Sequence, residues 1–81
     1  MVDQGIARAI ANIAIFLEFS SDAVINEDAS VEAMEQLAAD LQSLNERERA
    51  NLAASLKALA PSYGGDYSDF VLSLPDSFGL E

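Results

Sequence analysis

Cysteine, histidine and tryptophan are all missing from this chain of 81 residues, and positive charge is scarce. Without cysteine there are no disulfides, and without histidine as well there is no structural zinc site. A chain this short buries only about 60–65% of the surface that its unfolded form exposes. Its stability has to come from helix packing, from self-association, or from both. Zero cysteine fits a reducing compartment, so a cytoplasmic location is the expectation. The same absences take away the commonest general base, the usual nucleophile–base pairs and most transition-metal sites. An enzyme is not expected, and neither is a cofactor or a bound metal.

The bases are Arg8, Arg47, Arg49 and Lys57, against fourteen acids, for a net charge of −10. Between Arg8 and Arg47 no side chain is positive, while Glu18, Asp22, Glu27, Asp28, Glu32, Glu35, Asp40 and Glu46 all fall there. Nucleic acid is a poor ligand for such a chain, because phosphate binding needs clustered Lys and Arg. Anionic membrane is disfavoured for the same reason. A basic protein is the natural complement, since opposite potentials speed encounter and set specificity. Acid also keeps a small apolar chain soluble, which is the plainer reading of the same charge.

The start, "MVDQGIARAIANIAIFLEF", shows no basic n-region and no small-residue cleavage site, so a secretory signal is not expected. Arg8, Asn12 and Glu18 interrupt its apolar residues, which argues against a transmembrane span. Ile6, Ile10, Ile13 and Leu17 are spaced as one helix face, within about 60° of one another at 100° per residue. Ala9 and Phe16 widen that stripe, which is expected to face the core. The helix is predicted from about Asp3, as N-cap, to Phe19. Ile15 and Phe19 project to the opposite side, near Arg8 and Asn12.

"SSDAVINED" breaks the periodicity and reads as a connection. Val31, Met34, Leu37, Ala38, Leu41 and Leu44 then predict a second helix over about Asp28 to Leu44, with cap and charge from Asn26, Glu27 and Asp28. Asn45 and Glu48 form a capping-box variant at the start of a third helix, whose seam is Leu52, Leu56 and Leu59. Pro61 ends it, and "SYGGD" is a turn. Tyr67, Phe70, Val71 and Leu74 predict one or two further turns stopped by Pro75, after which Phe78 and Leu80 fold back as a clasp. The expectation is a single domain over residues 1–81. Its fold class is all-α, a compact antiparallel bundle of three main helices plus a short C-terminal helix and clasp.

Carboxylates and hydroxyls are the chemistry that remains. Acid–base work needs burial or coupling to shift one carboxyl, and these acids sit in polar surroundings. "DAVINEDASVE" invites a calcium reading, but no register fits an EF-hand: from Asp22 the third position is Val24, and from Asp28 the sixth is Ala33. Ser20 and Ser21 have no partner base. Gly64-Gly65 is a turn and not a phosphate cradle. Of Tyr63 and Tyr67, at least one is expected to pack on the bundle, because Tyr67 is in phase with Phe70 and Leu74.

What stands out is "NIAIFLEFSSDAVINED", a greasy segment running into an acidic one. An apolar centre with a charged rim is the usual composition of an interface. On that reading Ile15, Phe19 and Val24 anchor a partner, while Glu18, Asp22, Glu27 and Asp28 steer it. The competing reading is that the last helix and tail cover Ile15 and Phe19. A third is a homodimer, with the apolar part shared between copies and the acids kept at its edges.

"IANIAIFLEFSSDAVIN", "ASVEAMEQLAADLQSLNERERANLAASLKALA" and the closing "FVLSLPDSFGL" resemble small acidic helical bacterial immunity proteins. The resemblance covers most of the chain in style and carries no diagnostic motif, so no site residue is transferred from it. It implies a cytosolic inhibitor that occludes a toxin made by the same cell, sometimes as a homodimer.

Overall fold

The computed structural model describes residues 4–21 and 23–81. They form α1 (Gln4–Phe19), α2 (Glu27–Gln42), α3 (Glu46–Leu59) and α4 (Gly65–Ser77), with a 3-10 turn at Ala60–Ser62 between α3 and α4. No strand occurs among the described residues, and the fold is all-α. The N-cap expected at Asp3 lies outside the described residues.

The local causes of these elements are visible at their ends. Asn26 stands in extended backbone and its side chain accepts from the amides of Asp28 (2.9 Å) and Ala29 (3.2 Å), which satisfies two of the four unpaired donors at the start of α2. Glu27 and Asp28 add negative charge where the helix dipole favours it. Asn45 caps α3 in the same way, through the Glu48 amide at 2.8 Å. Pro61 sits in the 3-10 turn that follows α3, so the third helix ends where its proline predicts.

The fourth helix departs from the expectation of one or two turns stopped by Pro75. It runs thirteen residues, close to the length of its neighbours, and continues through Pro75 to Ser77. A proline inside a helix removes one amide donor, here the one that would reach the Val71 carbonyl. Pro75 stands only two residues before the end of α4, and it is fully buried in the core. The actual stop is at Gly79, whose φ of 69° is left-handed. Its amide donates to the Asp76 carbonyl (3.0 Å) and the Leu80 amide to the Pro75 carbonyl (2.8 Å). That pair of bonds is a Schellman motif, and it turns the tail back over the bundle.

Leu52, Leu56, Leu59, Val71, Leu74, Phe78 and Leu80 are buried, so the α3 seam, the inner face of α4 and the clasp supply the bulk of the core. From α1 the core receives Ala7, Ala11 and Ala14, all at 0% exposure, with Leu17 at the edge. The predicted stripe of α1 is therefore rotated. Ile6, Ile13 and Phe16 are each about half exposed (52%, 53% and 51%), Ala9 is exposed, and Ile10 is half-buried. Alanine on the inner face lets the α1 backbone come close to α3 and α4, whose larger side chains fill the space. The molecule measures 38 × 28 × 19 Å, and its shortest extent is room for about two helix layers. The apolar residues on the outer side of α1 therefore have no third layer to hide them.

On α2, Leu41 is buried and Met34, Leu37 and Ala38 are half-buried, whereas Val31, expected on the same stripe, is exposed. This helix packs chiefly against α1 and has its acids on the open side.

Candidate functional site

The C-terminal end of α1 lies between two shallow recesses. One, of about 440 Å³, opens toward α2 and is lined by Leu17, Glu18, Ser20, Ile25, Glu27, Ser30 and Val31. The other, of about 270 Å³, opens toward the start of α4 and is lined by Phe19, Gly64, Asp66 and Tyr67. These volumes straddle the lower limit of small-ligand pockets, about 300 Å³, a size that suits single side chains of a partner.

The second recess is built from both chain neighbours and long-range packing. The Phe19 ring meets Tyr67 edge to face at 4.9 Å and Phe70 at 5.2 Å. Phe70 is half-buried, while Phe19 and Tyr67 remain 45% and 44% exposed. The turn that carries Gly64 and Asp66 is pinned to α1 by Tyr63, whose hydroxyl donates to Asn12 Oδ1 at 2.6 Å. The Arg8 guanidinium lies 5.6 Å over the Tyr63 ring and donates to Ser62 Oγ at 3.3 Å. Gly65 takes φ = 56° at the first residue of α4, a left-handed value that favours glycine. Tyr63 is thus the tyrosine that packs on the bundle, and Tyr67 the one presented outward.

Glu18 occupies the last turn of α1, where no basic residue stands. A carboxylate at a helix C-terminus opposes the macrodipole, at a cost of about 0.3–1 kcal/mol. Glu18 and Glu27 meet at the first recess, on opposite sides of the α1–α2 connection.

The seven residues singled out from sequence distribute as follows. Glu18 and Glu27 come together at one recess, and Phe19 lines the other. Val24 is 64% exposed on the connection, and Asp28 is exposed in the first turn of α2. Ile15 is half-buried and packs against the core. Asp22 lies outside the described residues. Asp66 and Tyr67 join Phe19 from the far end of the chain, and nothing in the sequence groups them with it. Chain order is no guide to packing across the bundle.

Among the described residues, no group of three or more acidic side chains is placed to hold a metal ion, and no helix is long and apolar enough to cross a membrane. Comparison with protein families, characterised proteins and solved structures gave no match.

Proposed function

We propose that this chain is a non-catalytic protein-binding module that takes a basic partner at the C-terminal end of α1. The observation that carries the reading is the Phe19–Tyr67 pair, two rings in edge contact at 4.9 Å and nearly half exposed, beside the Asp66 carboxylate. Aromatic faces next to a carboxylate suit an arginine or lysine side chain, through cation–π attraction and charge pairing. Glu18 and Glu27 extend the negative rim on the α2 side. A net charge of −10 steers a cationic protein toward the molecule as a whole. In its concrete form, suggested by the resemblance to acidic helical immunity proteins, the partner is a basic toxin and the mechanism is occlusion in the cytoplasm.

The test is capture by the tagged chain at low and high salt, followed by titration of the purified basic partner against variants. Phe19→Ala and Tyr67→Ala should each weaken binding by about 2 kcal/mol, roughly thirtyfold, as anchors of an interface do. Ala39→Ser, on the outer side of α2, should leave it unchanged. A partner whose affinity ignores Phe19, Tyr67 and Asp66 alike would remove the reading.

A further inference from the structure

The recess between α1 and α2 is layered by polarity. The buried Leu17 and Ser30 form its floor, and Ile25, half-buried, and Val31, exposed, stand as its apolar walls. The Ser30 hydroxyl is already bonded to the Leu17 carbonyl, and among the described residues no buried side-chain polar atom lacks a partner. The floor therefore leaves a polar ligand group nothing to satisfy. The mouth is the opposite. Glu18 and Glu27 are exposed there, and no described residue pairs with either carboxylate.

An apolar floor under an acidic mouth fits an apolar side chain with positive charge beside it. We infer that this recess takes an apolar anchor of the basic partner, with a neighbouring lysine or arginine meeting Glu18 and Glu27. The anchor, a leucine or a side chain like it, enters over Leu17, Ile25 and Val31. This rests on the reading that a basic protein docks at this end of α1, and adds what that protein must carry. A neutral apolar segment would strip water from two carboxylates without pairing them, which costs free energy. A purely polar cation would pair with the mouth and gain nothing from the floor. A second copy of the chain would bring another −10 to the same mouth. At the Phe19–Tyr67 recess, by contrast, the rings and Asp66 suit the cation itself. The two recesses, reached from the consecutive residues Glu18 and Phe19, thus ask for different side chains of one partner. Salt screens the charge pairing and leaves apolar burial in place, so part of the affinity survives high salt.

The experiment titrates two capped pentapeptides of equal charge, Lys-Lys-Leu-Lys-Lys and Lys-Lys-Gly-Lys-Lys, into the full chain and follows backbone amide shifts by NMR. The leucine peptide should bind about tenfold more tightly, the gain from partly burying one leucine side chain. It should move the amides of Ser20, Ile25, Glu27 and Ser30. Val31→Ser should remove most of the leucine peptide's advantage. The double variant Glu18→Gln, Glu27→Gln should weaken that peptide about fivefold at low salt, the scale of two exposed ion pairs, and less at high salt. All three substituted positions are at the surface or its edge, so the variants should keep the helicity of the parent by circular dichroism. Equal affinity for the two peptides, no binding of either, or leucine-dependent shifts confined to the outer side of α1 would overturn the inference. The captured partner separates this inference from the Phe19–Tyr67 reading. Binding that falls with Phe19→Ala but ignores Val31→Ser and the double variant removes the anchor alone. Binding that responds to the recess variants but ignores Phe19, Tyr67 and Asp66 removes the aromatic site and supports the anchor.

Discussion

Ser30 of α2 donates its hydroxyl to the backbone carbonyl of Leu17 in the last turn of α1, and both residues are buried. The last carbonyls of a helix have no partner within it, so this bond satisfies one of them from a neighbouring helix. It also fixes where α2 crosses the end of α1, and hence the recess between them. Ser30→Ala should lower stability by about 1–3 kcal/mol, because the Leu17 carbonyl would stay buried and unpaired. Urea unfolding followed by circular dichroism measures the loss, and a change below the error of that method would show that water replaces the hydroxyl.

The clasp is held by apolar burial and not by its ion pair. Phe78 is 1% exposed, whereas the Lys57–Glu81 pair at 2.6 Å leaves both side chains nearly half exposed. Phe78→Ala should therefore cost about 3–5 kcal/mol, and Lys57→Gln less than about 1 kcal/mol. Thermal unfolding of the two variants separates the cases.

Two glycines in turns should behave differently. Gly79 has φ = 69°, and a Cβ there would stand 2.9 Å from Gln42 Nε2, the group that donates to the Phe78 carbonyl at 2.9 Å. Gly79→Ala should cost about 1–2 kcal/mol from the left-handed backbone alone. Gly64 has φ = −99° and open space where a Cβ would lie, so Gly64→Ala should be close to neutral. Denaturant midpoints of both variants provide the comparison.

Glu27, Asp28, Glu32, Glu35 and Asp40 are all exposed on α2, in a chain of net charge −10. Their mutual repulsion destabilises the compact state at low ionic strength. The thermal midpoint should rise as sodium chloride is increased from about 0.01 to 0.15 M, over which the screening length falls from about 30 to 8 Å. Measured at a concentration low enough to keep the chain monomeric, a flat profile would mean that these charges are already too far apart to matter.

Much of this molecule is legible in the order of its residues. The caps at Asn26 and Asn45, the leucine seam of α3 and the returning Phe78 and Leu80 are local signals, and local physics suffices to read them. The absence of histidine and cysteine and the excess of acid likewise need no coordinates. The orientation of α1 is a different matter. Its apolar residues surround the helix, so periodicity has no single phase, and the larger side chains point to a core face at Ile6 and Ile13. Packing chose Ala7, Ala11 and Ala14 instead, since small side chains allow the closest approach to α3 and α4. A small-residue repeat at those positions is the clue the sequence offers. The length of α4 is hidden by Pro75, which a buried site close to the helix end tolerates. The meeting of Phe19 with Tyr67 depends on how α4 crosses α1, and no local preference encodes a contact between residues so distant in the chain.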